Sequence, residues 1–140
     1  MGEDGSRVKM RIARWPCSGI ACLAWALTAP AAAQTQEQVD WCNGKGSVAA
    51  DAVIGGCSAV IQSGAQSPKD LSTAFNNRGN AYYDKKDYDH AIADYSEAIR
   101  LDPKFALAFF NRSCVFRDKG DSDRSIDDYI QAIRLDPSLK

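Results

Sequence analysis

The sequence predicts an all-α fold: a short solenoid of about three antiparallel helix hairpins, carried on a chain that begins with an export leader. Three observations carry this expectation. First, the block Ala98-Ile99-Arg100-Leu101-Asp102-Pro103 returns unchanged as Ala132-Ile133-Arg134-Leu135-Asp136-Pro137, 34 residues later. At the same offset Phe75 returns as Phe109, Asn77-Arg78 as Asn111-Arg112, Ile92 as Ile126 and Asp94-Tyr95 as Asp128-Tyr129. Second, within each unit the apolar residues recur at helical spacing. Third, stop-and-restart signals sit between the apolar stretches: Ser67-Pro68, Asp102-Pro103 and Gly120-Asp121. A fixed period of this length marks stacked helical units, none of which can bury its apolar face alone.

Composition narrows the function classes. Apolar residues are 45% and charged residues 25%, an ordinary globular balance. The formal net charge is -1 with both signs interspersed, so there is no electrostatic footprint for nucleic acid.

The first element is residues 1–33. Arg7, Lys9, Arg11 and Arg14 form a basic start, Cys17 to Ala29 an apolar run, and Pro30 with Ala31-Ala32-Ala33 a small-residue cleavage site. Together they describe a signal peptide cleaved after Ala33, giving a periplasmic or secreted protein. Met10 opens a more typical leader than Met1, so residues 1–9 are either part of it or a mis-assigned start. The apolar run falls short of the roughly 20 residues that span a bilayer. An uncleaved anchor is the alternative, and cleavage leaves no stable membrane span. The mature chain then carries 13 basic and 16 acidic residues and keeps Cys42, Cys57 and Cys114. In an oxidising compartment two of three cysteines are expected to pair.

The two full repeats, 72–105 and 106–139, resemble the tetratricopeptide repeat family. In the first, Phe75, Gly79, Tyr82, Tyr88, Ala91, Tyr95, Ala98 and Pro103 occupy the positions of that pattern. In the second, Phe109, Ser113, Phe116, Tyr129, Ala132 and Pro137 do so, and the chain departs from it at Ser122 and Ser125. Gly79 and Ala91 face each other across a hairpin, where small residues let two backbones approach. Tyr82, Tyr95 and Ala98 fall on buried stripes. Asp102-Pro103 ends one helix and opens the next, Asp as cap and Pro in the first turn. Ser113 faces Ser125, and their hydroxyls bond each other or a backbone carbonyl.

Residues 34–67 read as a degenerate hairpin. Val53 to Ile61 aligns with Ala91 to Ile99 at an offset of 38, followed by a connection four residues longer. Ser67 caps the next helix, with Pro68 at its first position. On this alignment Cys57 takes the place of Tyr95, and Cys42 lies on the preceding helix. A Cys42–Cys57 disulfide would tie the pair and contribute roughly 3 kcal/mol; two buried free thiols are the alternative. Cys114 has no evident partner. The expected helix pairs are roughly 37–62, 70–100 and 104–135.

The resemblance implies a non-catalytic protein–protein interaction module whose first helices line a concave groove for a peptide or protein segment. That groove would receive Asn76, Asn77, Asn80, Tyr83 and Asp84 from one repeat, and Phe110, Asn111, Cys114 and Arg117 from the next. Side-chain amides both donate and accept, so a ladder of them suits an extended backbone; fixing helix packing is the other reading. A carboxylate clamp is poorly matched, because Asn76 stands where the family pattern has Lys. Arg78 and Arg112 read as structural, pairing with Asp94 and Asp128 or with neighbouring helices. An apolar face on the last helix (Ile126, Tyr129, Ile130, Ile133) supports a second reading, an assembly subunit that docks or homodimerises there. Gly44-Lys45-Gly46-Ser47 lacks the spacing of a phosphate loop, and His90 has no companion ligands. No catalytic residue, metal or cofactor is expected.

Overall fold

The computed structural model describes residues 35–64 and 66–140; the expected signal peptide, 1–33, lies outside them. Six helices follow in order: α1 (Gln36–Cys42), α2 (Ala50–Gln62), α3 (Pro68–Asp84), α4 (Tyr88–Leu101), α5 (Ala106–Asp118) and α6 (Ser122–Leu135), closed by a 3-10 turn at Pro137–Leu139. They pack as three hairpins, α1 on α2, α3 on α4 and α5 on α6. Adjacent hairpins stack through α2–α3 and α4–α5. There is no strand among the described residues, and none of their helices is long and apolar enough to cross a membrane. The all-α solenoid expected from the 34-residue period is the fold observed.

Local chemistry explains the helix starts. Thr35 and Gln38 form a capping box on α1, and the side chains of Ser67, Asp87 and Asp121 accept from the third backbone N–H of α3, α4 and α6. Two expectations need correction. The four-residue insertion before the first full repeat does not lengthen a loop. It forms an extra first turn, so that α3 has 17 residues where α5 has 13. Ser67 caps this helix and Pro68 stands at its first position, as the sequence predicts; only the longer connection is replaced by helix. The second correction concerns Asp102-Pro103, which ends α4 without opening α5. The Asp102 carboxylate instead accepts from Lys104 N–H in a turn, and α5 begins after Phe105 with no side-chain cap.

Close contacts differ between hairpins. At Gly79 a Cβ would lie 2.7 Å from Tyr95 Cε1, so the glycine makes room for a buried aromatic ring more than for a backbone. Tyr95 is 1% exposed and packs with Ala91 and Val115. In the first hairpin the close approach is at Gly56, where a Cβ would meet Gln38 O at 2.6 Å. Cys42 and Cys57 are joined there by a disulfide, among Val60, Ala74 and Val39. The first hairpin is therefore held by backbone contact and a covalent bond.

Candidate protein-binding face

Three polar joints repeat along the stack. Arg78 on α3 donates through Nε and Nη2 to both oxygens of Asp94 on α4, at 2.7 Å each, and through Nη1 to Ser58 on α2 at 2.9 Å. Arg112 on α5 does the same to Asp128 on α6 and Ser96 on α4. Each guanidinium thus closes its own hairpin and locks it to the previous one, in the fork geometry that only arginine supplies. The hydrogen bonds that Arg78 donates to Asp94 also raise the Arg78 pKa above its ordinary value. Lys85 reaches Asp51, and Lys119 reaches Asp89, across the same hairpin boundaries. These lysine pairs are at the surface and add little.

The third joint uses the asparagines. Asn77 Nδ2 donates to the Cys42 carbonyl at 3.0 Å. Asn111 Nδ2 donates to Asn76 Oδ1 at 3.0 Å and to Asn80 Oδ1 at 3.1 Å. Asn80 Oδ1 also accepts from the Tyr95 hydroxyl; burial pushes the phenol pKa of Tyr95 up. Much of the amide ladder therefore joins first helix to first helix. Asn76 is withdrawn from the expected groove: it is 5% exposed because it faces α5, where Asn111 meets it. What remains for a ligand is specific. The Nδ2 of exposed Asn80 and the Oδ1 of Asn111 have no partner among the described residues, and the two side chains touch.

Tyr83 and Arg117 lie further along α3 and α5, and Phe110 immediately precedes Asn111. The Tyr83 hydroxyl donates to Asp118 Oδ2 at 2.6 Å, and Arg117 Nε donates to Asp118 Oδ1 at 3.1 Å. The hydrogen bond from Tyr83, then that from Arg117, holds the Asp118 carboxyl below the usual carboxylate range. The same contact raises the Tyr83 phenol. Asp118 was missed by sequence reasoning, although the period offered a signal, since it is the 34-residue counterpart of Asp84. Phe110 packs at a tilt on Tyr129, with ring centroids 6.2 Å apart.

Two clefts open beside these residues. One, of about 200 Å³, is lined by Asn77, Asn80 and Asp84 with Val48 and Val53. The other, of about 220 Å³, is lined by Phe110, Cys114, Arg117, Ile126 and Tyr129. Both are smaller than the roughly 300 Å³ at which small-molecule sites begin, and each suits one side chain.

The first two hairpins also share one contact fifteen residues wide. Cys42 and Cys57 are bonded covalently, and Asn80 and Tyr95 by a hydrogen bond; both pairs are 15 residues apart. Cys114 and Tyr129 occupy the corresponding places in the third hairpin, on either side of the second cleft. Ser113 replaces the glycine that admits the Tyr95 ring. Its hydroxyl donates to Phe110 O, and Ser125 donates to Ser113 O. Tyr129 is consequently 37% exposed.

Residues 72–105 match one family model described as tetratricopeptide repeat, and residues 106–139 match a second of the same description.

Proposed function

From the premise that residues 72–139 form a pair of tetratricopeptide repeats, which mediate protein–protein interaction, we propose that this chain binds an extended segment of another protein along α1, α3 and α5. The observation that carries the reading is the adjacent pair Asn80 and Asn111. One offers a free N–H₂ and the other a free carbonyl, the two groups that a peptide unit needs, at side chains already fixed by inward bonds. Recognition of main chain by amides is indifferent to sequence, so specificity falls to the two clefts. Asp84 in the first favours a basic or amide side chain on the ligand. Phe110 and Tyr129 in the second favour an apolar one.

A test follows from the bonding. Asn80→Asp keeps an oxygen that accepts from Tyr95 and Asn111, replaces the outward donor by an acceptor and adds one negative charge beside Asp84. Peptides selected from a displayed random library on the immobilised chain are expected to bind Asn80→Asp at least about tenfold more weakly, the scale of one lost hydrogen bond. Equal binding by both proteins would defeat the reading.

The same account takes the protein to be exported. The leader-like residues 1–33 and the Cys42–Cys57 bond, of a type that persists in oxidising compartments, support this. N-terminal sequencing of the protein made in a secreting host is expected to begin at Gln34; a start at Met1 or Met10 would count against it.

A further inference from the structure

The outer face of α6 departs from the other second helices at one residue. Ser58 on α2 and Ser96 on α4 each accept an arginine from the hairpin stacked on them. The next such position, 34 residues after Ser96, is Ile130, which is 42% exposed. Around it run Ile126, 56% exposed, and half-buried Ile133 on one stripe of the helix. Ile130 has no acceptor for the guanidinium that Ser58 and Ser96 hold, and its burial calls for an apolar counterpart.

The charges beside the stripe decide which one. Asp127 and Arg134 lie on the same flank, three residues before Ile130 and four after it. Asp127 has no partner among the described residues, and Arg134 bonds only Gln131 on its own helix. We propose that this face docks a second copy of itself, with two α6 helices antiparallel and crossing at Ile130. A two-fold axis keeps the charged flanks of both helices on one side. At 1.5 Å per residue, Asp127 and Arg134 stand about 5 Å on opposite sides of the crossing, so each Asp127 meets the other copy's Arg134. Ile130 then meets its own counterpart, and Ile126 meets Ile133. A parallel pairing would put the two charged flanks on opposite sides of the seam, each against the other copy's Ile126 and Ile133 and without an opposite charge to meet, so flanking charge favours the antiparallel orientation. One helix face is less than the roughly 800 Å² per partner of a stable interface, and the dimer dissociates accordingly.

Sedimentation equilibrium of the full chain over a range of concentrations tests this. The wild type is expected to show a reversible monomer–dimer equilibrium, and Ile130→Asp to remain monomeric with its helical circular dichroism intact. Asp127→Arg and Arg134→Asp are each expected to weaken self-association at least about tenfold, because like charges then face each other. An equimolar mixture of these two variants is expected to form a heterodimer, since every facing pair is again opposite in sign. That recovery also shows that both variants are folded. A wild type that stays monomeric, or a dimer indifferent to the charge changes and the mixture, would overturn the proposal.

Discussion

Arg78 and Arg112 show how one side chain converts a repeat into a stack. Each reaches a carboxylate of its own hairpin and a serine of the previous one. The carboxylates are nearly buried, Asp94 at 6% and Asp128 at 7% exposure. Asp94→Ala strands a half-buried guanidinium and is expected to destabilise by about 2–4 kcal/mol in denaturant unfolding. Ser58→Ala, which removes one neutral bond and leaves the carboxylate clasp, is expected to lose only about 1 kcal/mol. A Ser58→Ala loss as large as that of Asp94→Ala would mean that the joint between hairpins, not the clasp within one, dominates. At this scale the sequence was half legible. The 34-residue recurrence exposed the Arg–Asp pairs, but it could not show that Asn76 turns inward while Asn80 stays out. That choice depends on the rotation of α3 against α5, which no single residue determines.

Among the elements, the hairpins were legible because the apolar period, the caps and the Pro and Gly stops all agree. The start of α3 at Ser67-Pro68 was legible too, but the alignment offset of 38 suggested a longer connection where the chain adds a helical turn. The role of Gly56 was not legible either, because its value lies in the α1 backbone pressed against it. The fifteen-residue contact gives a prediction at this scale. Tyr129→Cys puts a thiol opposite Cys114, in the place that Cys57 holds opposite Cys42. Under oxidising refolding this variant is expected to lose both free thiols on titration. Its melting temperature is expected to fall when it is reduced, on the scale of roughly 3 kcal/mol for a loop of this length. Two titratable thiols persisting after oxidation would show that Ser113 has set α5 and α6 apart in a way the first hairpin does not share.

For the whole molecule, charge sets the acid limit. Asp40, Asp87, Asp118, Asp121 and Asp136 are all held below the usual carboxylate range, chiefly by hydrogen bonds from Lys45, His90, Tyr83, Arg124 and Ser138. A lowered folded-state pKa stabilises fully above the unfolded value of about 3.9 and is lost as pH falls through the folded values. The melting temperature is therefore expected to change little with these groups above about pH 5 and to fall below about pH 4. Each group is at least partly exposed and contributes little alone, so a gradual decline is expected rather than a step. A decline already complete by pH 5 would mean that other groups control acid stability.

The central claim is that the first-helix face, through Asn80 and Asn111, holds an extended polypeptide. Side-chain and backbone amide NMR spectra of the chain, titrated with a library-selected peptide, address it most directly. The Asn80 and Asn111 side-chain amide signals are expected to shift together with backbone signals of α3 and α5, and these shifts to vanish in Asn80→Asp. Shifts confined to α6, with the asparagine amides unmoved, would contradict it and assign binding to the end face.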